Sequence, residues 1–534
     1  MTLIKNGMIV DGTGKPAFVG DVLVEGDKVL DVLEGLDNLE PPDACETIDA
    51  SGLIVSPGFI DAHTHSDAYL VIEPDAPSKI SQGITTELNG QCGGSIAPRY
   101  GEARLSSDWA AILGERLTWR SLAEYREVLS AAKPAVNTVQ FIGHNTLRSS
   151  VVGYAGRAAK ADEQKEMERL LAQALDEGGW GLTTGLIYQP GKYSTPEEVT
   201  QLAKVAAAKG GSYATHMRSE GDRILESIDE VIELVKATGI RAEISHLKTS
   251  GRKNWHKIDA ILEKIEGAMK DGLLLGSDRY PYCAAGTDLD VVLPDWAQEG
   301  AAPAEMVRLK DAGLRARIVD EINSSDRDWS EVMIGGTWDP DNKAYSGKFI
   351  SDCLQNEASS ARCSSGASGS RRTPGELVCQ ILERDGCKTG AFFFGMSEEN
   401  LDKIYSRPWI VPGSDASLRA PWGPLGKDHP QPRAYATMPE FYRRVRALGV
   451  SREETVARMT SVIADRFGIK GRGRIERGAF ADLVVWDEAA FKAKATFTDP
   501  HQFTDGVRCV MTNGVISYRD GKFTGNRGGR FLER

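Results

Sequence analysis

The sequence is poor in cysteine: eight occur in 534 residues, and none forms a C-x-x-C pair. This sparse usage excludes a disulfide framework and the common zinc-finger spacings. Four of the cysteines fall near one another, but their spacing fits no common zinc module: Cys353, Cys363, Cys379 and Cys387. We therefore predict that most of the cysteines are buried thiols.

Long apolar stretches and an excess of positive charge are also missing. No run of about 18 apolar residues occurs, and polar and glycine positions interrupt MTLIKNGMIVDGTG at the start before a signal peptide could form. The chain has 64 lysines and arginines against 76 acids, a net charge of −12, which argues against nucleic-acid and anionic-membrane binders. We expect a cytoplasmic protein with no nucleic-acid or membrane partner, either a monomer or a small homo-oligomer. An anionic substrate would need locally placed cations.

The order of strand-like and helix-like segments predicts three parts. Residues 1–56 show short alternating strands, residues 57–473 show apolar strands alternating with amphipathic helices, and residues 474–534 return to short strands. The central alternation predicts parallel strands with helical crossovers. In the simplest topology, both chain ends build one small antiparallel β domain beside a central barrel.

The alternation is lost between about residues 284 and 390. The segment ASSARCSSGASGSRRTPGE within it is small, polar and flexible in composition. A long irregular stretch inside a compact fold is a functional lid, an inserted subdomain or a disordered loop, and all three interpretations remain open at this point.

Paired histidines occur in FIDAHTHSD, residues 59–67, directly after the Pro57–Gly58 turn signal. Residues two apart in a strand point to the same side, so His63 and His65 can converge on one object. Two further histidines, His216 and His246, occupy equivalent places in successive βα units. Both are expected at the carboxyl ends of neighbouring parallel strands, where barrel active sites are assembled.

Cys92 in NGQCGGS and Asp415 in PGSDAS stand at similar transitions from strand to loop. Taken singly, each such residue is more often a hydrogen-bonded core residue, a small filler or a helix cap. Together, imidazole, thiolate and carboxylate suit zinc or a similar divalent ion. The combination predicts a metal site formed by six residues: His63, His65, Cys92, His216, His246 and Asp415.

Motifs over nearly the whole chain resemble those of the metal-dependent amidohydrolase superfamily. The superfamily resemblance rests on PGFIDAHTHSD, THMRSEG, SHLKTSG, GSDAS and GRIERGAFADLVVWD. A closer resemblance, to the N-acyl-D-amino-acid deacylases or D-aminoacylases, rests on GITTELNGQCGGSIAP, GLIYQPGKYSTPEE, HMRSEGD, HLKTSG, DRYPYCAAGT and HPQPRAYATMPEF. Its most specific point is a cysteine in place of the usual bridging group.

The resemblance implies an α/β fold, a distorted (β/α)8 TIM barrel with a small β-sandwich domain formed by both chain ends and an insertion late in the barrel. It also implies zinc-dependent hydrolysis of N-acyl-D-amino acids to a carboxylate and a free D-amino acid. Cys92, His216 and His246 would hold one tightly bound Zn²⁺, and His63, His65 and Asp415 a weaker second metal. The bridging carbamylated lysine common in the superfamily is not evident, so the number of metals needed for turnover stays open.

The chemistry of these groups suggests a mechanism. Metal-bound hydroxide, available at neutral pH, would attack the amide carbonyl, with Asp415 as general base and then as general acid toward the leaving amine. His65 or the hydroxyl of Tyr188 is a candidate partner for the oxyanion. A tyrosine at a strand end equally often only packs.

An N-acylated amino acid also carries a free carboxylate that needs a cation. Arg218 and Lys248 each follow a metal-site histidine by two residues, so we expect both side chains in the barrel mouth, although structural salt bridges are the alternative. Tyr280 resembles a carboxylate or carbonyl contact of the family. Three other residues complete the candidates for substrate contact: Tyr188, His144 and Arg419.

Substrate preference is not fixed by any spacing. The cations Arg419, Lys427 and Arg433 would select an acidic side chain or simply solvate the rim. A cyclic amidase of the dihydropyrimidinase or dihydroorotase type is the alternative enzyme; it would rely on a carbamylated lysine and tolerate alkylation of Cys92. A metal-binding structural protein without catalysis is the third hypothesis.

Overall fold

The computed structural model describes residues 1–35, 45–105, 107–356 and 372–534. Most of the polar segment that interrupts the predicted repeat, including Cys363, lies outside the described residues.

Eight parallel strands form the predicted barrel. The third is split at Phe141, and the strands fall into a three-stranded and a six-stranded sheet that a parallel bridge between Thr64 and Ala416 connects. All eight are buried, because side chains fill the interior and helices cover the outside. The strands are Phe59–Asp61, Ile84–Asn89, Asn137–Gln140 with Ile142–Gly143, Gly181–Gly185, Ser212–His216, Ala242–Ile244, Leu275–Arg279 and Ile410–Pro412.

Crossover helices begin where the sequence signals predict. At Pro196–Ala208, for example, Thr195 Oγ1 accepts a hydrogen bond from the Glu198 backbone N–H at 3.2 Å, and proline occupies the first turn. None of the helices in the described ranges is both long and apolar enough to cross a bilayer. Helices outside the insertion are Tyr69–Ile72, Pro77–Ile80, Ser107–Leu113, Leu122–Ala132, His144–Val151, Ala161–Asp176, Pro196–Ala208, Ile224–Thr238, Ile258–Lys270, Glu398–Tyr405, Arg433–Ala447, Arg452–Met459 and Ser461–Phe467.

Strands from both chain ends share one nine-stranded sheet with its own apolar core. The sheet is not antiparallel throughout, as Thr2–Ile9 pairs in parallel with Glu46–Asp49 and Ile54–Pro57. The boundaries at residues 56 and 474 stay a prediction. The strands are Thr2–Ile9, Phe18–Glu25, Lys28–Glu34, Glu46–Asp49, Ile54–Pro57, Leu483–Trp486, Val507–Thr512, Val515–Arg519 and Lys522–Phe523.

The described part of the 284–390 segment is a folded subdomain. It has a separate apolar core, with Leu289, Ile318 and Leu377 fully buried, and a three-stranded antiparallel sheet. Its strands are Ala285–Asp288, Val332–Ile334 and Gly390–Phe393, and its helices are Asp295–Gln298, Ala301–Lys310, Ala312–Asn323 and Pro374–Asp385.

Candidate metal centre and active site

The six predicted metal-site residues meet at one end of the barrel. They lie at or just after the carboxyl ends of five strands: the first, second, fifth, sixth and eighth. This edge is where loops of a parallel barrel converge. Residues more than 300 positions apart in the chain are therefore neighbours in the fold: His65 Nε2 is 3.1 Å from Asp415 Oδ1.

Cys92 is shared by two sets of potential ligands. Its Sγ lies 3.3 Å from His63 Nε2, 3.3 Å from His246 Nε2 and 3.8 Å from His216 Nδ1. One set contains Cys92, His216 and His246, and the other contains His63, His65, Cys92 and Asp415; within each set the ligand atoms lie within 4.8 Å of one another. The thiolate could thus bridge two metal positions.

Three of these residues have the left-handed backbone conformation that residues other than glycine rarely adopt: φ is 51° at Cys92, 38° at His246 and 48° at Asp415. Each such residue costs about 1–3 kcal/mol and persists only where its surroundings enforce it. Asp278 Oδ1 accepts the His246 N–H at 3.0 Å, and a Cβ at Gly185 would lie 2.0 Å from the Cys92 carbonyl oxygen. Close packing therefore holds these side chains in place.

The electrostatic environment favours the charged forms that metals require. Burial opposes ionisation of Cys92, but the imidazoles of His63 and His246 outweigh it and hold the pKa of the thiol well below its usual range. Burial also opposes ionisation of Asp415; Arg433, whose Nη1 lies 2.8 Å from Oδ2, and His246 nevertheless hold the pKa of this carboxyl well below its usual range. A thiolate and a carboxylate beside imidazoles fit zinc.

Carboxylates that the sequence analysis missed orient two of the imidazoles. Asp278 Oδ2 lies 3.2 Å from His63 Nδ1, and Glu220 Oε1 lies 2.9 Å from His246 Nδ1. Such contacts fix the tautomer, so that the opposite ring nitrogen is free to bind a metal. Asp278 belongs to the motif DRYPY and Glu220 to HMRSEGD. In the sequence, only their position close to predicted strand ends indicated that they lie near the metal centre.

A fully buried lysine joins the strands beneath the centre. Lys79 Nζ lies 2.9 Å from Asp61 Oδ2 and 3.0 Å from Glu87 Oε1, and it donates to the Ala416 carbonyl at 3.1 Å. The two acids belong to the first and second strands, and Ala416 directly follows Asp415. In the sequence, this lysine stands in the short segment PSKI, which gives no sign that the whole helix is buried.

A cavity of about 520 Å³ opens over the centre and is lined by His65, Cys92 and Asp415. The inserted subdomain contributes one of its walls, including Thr287, Trp338 and Phe392. Of the three interpretations of this segment, the described residues support a subdomain that partly covers the site.

Several predicted substrate contacts lie around this cavity. Tyr188 lines it, with its ring centroid 5.0 Å from that of His216. Arg419 lines it too and forms an ion pair with Asp428 at 2.8 Å. From the sequence, Arg433 is only one member of a cluster of cations, whereas the structure places it beside Asp415.

Lys248 and Tyr280 are buried close behind the centre. Lys248 Nζ lies 2.8 Å from His246 Nδ1 and forms an ion pair with Glu220. The ring of Tyr280 lies 4.4 Å from Arg433 Cζ and has its centroid 6.4 Å from that of His246.

Two predicted substrate contacts are placed elsewhere. The described residues that line the cavity include neither Arg218 nor His144, and they do not include Lys248 or Tyr280 either, although these two adjoin His246. Arg218 pairs with Glu230 at 2.9 Å, because the strand ends at His216 and two-residue alternation does not extend past it. His144 begins a helix, where its buried Nε2 lies 2.9 Å from Glu198 Oε1. Arg218 instead lines a second pocket together with Tyr188 and Thr287, which also line the cavity over the centre.

Comparisons with known proteins agree with this geometry. The model of the amidohydrolase family matches residues 46–333 and 400–518. A D-aminoacylase of Alcaligenes xylosoxydans xylosoxydans is 31% identical over 542 residues, covering 100% of this chain and 97% of that protein.

Solved structures extend the comparison to the fold. A D-aminoacylase structure that addresses a binuclear metal centre has a TM-score of 0.81 at 30% identity, covering 100% of this chain and 99% of the other. The N-acyl-D-glutamate deacylase of Bordetella bronchiseptica, complexed with zinc and a phosphonate mimic of the tetrahedral intermediate, has a TM-score of 0.82 at 29% identity over the same shares. The chain is a metal-dependent hydrolase of linear amides and belongs to the N-acyl-D-amino-acid deacylase (D-aminoacylase) family of the amidohydrolases.

Proposed function

We propose that the protein hydrolyses N-acyl-D-amino acids to a carboxylate and a free D-amino acid, with zinc as its metal. The observation that carries the proposal is the position of Cys92 Sγ between two sets of ligands in a cavity that also contains the Asp415 carboxylate. The relatives that match the full chain act on this class of substrate by name.

Cys92, His216 and His246 would hold the tighter metal, since all three are buried and the sulfur and two imidazoles form a donor set typical of zinc. His63, His65 and Asp415 would complete a weaker second position through the same sulfur. Zinc bound here supplies a Lewis acid, which polarises the amide carbonyl and makes water nucleophilic at neutral pH.

Asp415 is our candidate for the general acid and base. Its side chain is 13% exposed at the cavity, and its low pKa keeps it ionised and ready to accept a proton from the attacking water. The same carboxyl would then deliver that proton to the nitrogen of the leaving amine. Arg433 fixes Oδ2 and His65 lies beside Oδ1, so the carboxylate is oriented before substrate binds.

His65 or Tyr188 is our candidate for stabilising the developing oxyanion. His65 is 27% exposed, and both side chains line the cavity beside Cys92. A hydrogen-bond donor aimed at this oxygen is commonly worth about 3–4 kcal/mol in the transition state.

The substrate carboxylate would bind to Arg433, supported by Lys248 and Tyr280. These three side chains form one cluster, because the ring of Tyr280 lies 4.4 Å from Arg433 Cζ and 5.9 Å from Lys248 Nζ. In a protein with a net charge of −12, the guanidinium of Arg433 and the ammonium of Lys248 would supply the local positive charge that an anionic substrate needs, each while still paired with an acid, Asp415 or Glu220.

The reaction itself is tested with the zinc-loaded protein and four substrates: N-acetyl-D-methionine, N-acetyl-L-methionine, N-acetyl-D-glutamate and dihydrouracil. We expect free amine from the D compounds, with a preference over the L compound of about 100-fold or more, because the relatives that match the full chain act on N-acyl-D-amino acids by name. Hydrolysis of dihydrouracil alone would instead identify a cyclic amidase.

Replacing the shared ligand tests the metal centre. Cys92→Ala is expected to weaken zinc binding at both positions by about 100-fold or more, measured by elemental analysis after dialysis against a weak chelator. Cys45→Ala, which alters a thiol far from the centre in sequence, serves as the matched control and should keep its zinc. Normal zinc content in the Cys92 variant would contradict the assignment.

Asp415→Asn separates proton transfer from metal binding. The variant should retain the tighter zinc while kcat falls by about 10²–10⁴-fold, since the amide cannot accept the proton. Asp402→Asn, on the exposed face of a nearby helix, provides the control. Activity within fivefold of the parent protein would remove Asp415 from the proposed role.

Arg433→Met tests the carboxylate site. We expect KM for N-acetyl-D-methionine to rise about 10-fold to 100-fold, the value of one charged hydrogen bond, but little change in KM for N-acetyl-D-methioninamide, which lacks the carboxylate. Arg443→Met, an exposed position on the same helix, is the control. Because Arg433 also pairs with Asp415, kcat should fall with both substrates; an equal rise in KM with both substrates would show that Arg433 does not bind the substrate carboxylate.

A further inference from the structure

The cavity is larger than the proposed minimal substrate requires. Its volume of about 520 Å³ lies in the range of about 300–1,000 Å³ that holds drug-sized ligands, whereas an N-acetyl amino acid has only about 12 non-hydrogen atoms. The residues that line this additional space indicate which part of a larger substrate would fill it.

One side of the cavity is apolar and aromatic. We call it the acyl arm and define it by four cavity-lining residues: Tyr69, Leu105, Trp109 and Trp338.

The barrel side of the acyl arm is a continuous set of contacts. The rings of Tyr69 and Trp109 meet edge to face at 5.6 Å, and Arg419 Cζ lies 4.7 Å from the Tyr69 ring. Arg419 in turn pairs with Asp428 at 2.8 Å. Tyr69 and Trp109 belong to the helices Tyr69–Ile72 and Ser107–Leu113, which follow the first and second strands.

The inserted subdomain closes the opposite side of the arm. It approaches the loop after the eighth strand so closely that a Cβ at Gly336 would lie 3.3 Å from Asp428 Cβ. Two residues later, the indole N–H of Trp338 donates to the Lys388 carbonyl at 3.1 Å, while the side chain remains 45% exposed at the cavity. An anchored, half-exposed tryptophan at a cavity mouth is typical of a ligand contact.

The direction of the substrate follows from the two ends of the cavity. Arg433 lines the cavity and contacts the ring of Tyr280 at 4.4 Å, and Tyr280 follows the seventh strand, across the barrel mouth from the helices that carry Tyr69 and Trp109. In a trans amide, the acyl-chain carbon bonded to the carbonyl and the α-carbon bonded to the nitrogen lie on opposite sides of the C–N bond. If the carboxylate lies by Arg433, the acyl group extends into the acyl arm, whereas the amino-acid side chain branches on the carboxylate side.

We infer that the acyl arm makes the enzyme selective for apolar acyl groups longer than acetyl, such as octanoyl or phenylacetyl. The inference rests on the proposed function. Each methylene that leaves water for an apolar site can raise kcat/KM by up to about fourfold, so an octanoyl substrate should exceed the acetyl substrate by about 10-fold or more.

The test uses two substrate series with the zinc-loaded protein. The first varies the acyl group on D-methionine through acetyl, butanoyl, octanoyl and phenylacetyl, and the second varies the D-amino acid under a constant acetyl group. Trp109→Ala and Trp338→Ala are compared with Trp422→Ala, a 43% exposed tryptophan outside the cavity lining.

We expect kcat/KM to rise along the first series, and each arm variant to lower kcat/KM for octanoyl by about fivefold or more while the value for acetyl stays within about twofold. Trp422→Ala should match the parent protein. A flat acyl series, or arm variants that change only the second series, would overturn the inference and leave the proposed function intact. Absence of amine release from every N-acyl-D-amino acid would instead reject the proposed function.

Discussion

The structure depends on one constraint: a buried thiolate must sit among several imidazoles. Cys92 reaches that position only because its backbone adopts a left-handed conformation and the neighbouring strands leave space for its carbonyl group. The charges stabilise one another, since the imidazoles lower the pKa of the thiol while the carboxylates of Asp278 and Glu220 support the imidazoles. A divalent cation at this point would satisfy every one of these groups.

The remainder of the fold keeps this arrangement rigid and accessible. Lys79 neutralises two acids beneath the centre, and removing it would leave buried carboxylates unpaired, a cost of about 3–5 kcal/mol. The inserted subdomain has a core of its own and forms a wall of the cavity. The barrel carries the potential metal ligands, whereas the inserted subdomain, with its own core, forms part of the cavity wall. Substitutions in that wall can therefore occur without disturbing the metal ligands.

The sequence was sufficient to predict the barrel and the six potential ligands, because strand ends in a parallel barrel all meet at one edge. It was insufficient wherever a partner on a distant segment decides the outcome. Arg218 was expected in the mouth, but Glu230 on the following helix pairs with it. Arg433 was part of a cationic cluster, and only the fold places its guanidinium on Asp415. Side chains alternate between the two faces only within a strand, and the sequence does not show at which residue the strand ends.

The central claim is that Cys92 is a metal ligand common to both positions. X-ray absorption at the zinc edge tests it most directly, on protein loaded first with one and then with two equivalents of zinc. For the first zinc, we expect one sulfur neighbour at about 2.3 Å together with imidazole nitrogens. For the second zinc, we expect a sulfur neighbour as well. Spectra that fit only nitrogen and oxygen neighbours at both loadings would contradict it.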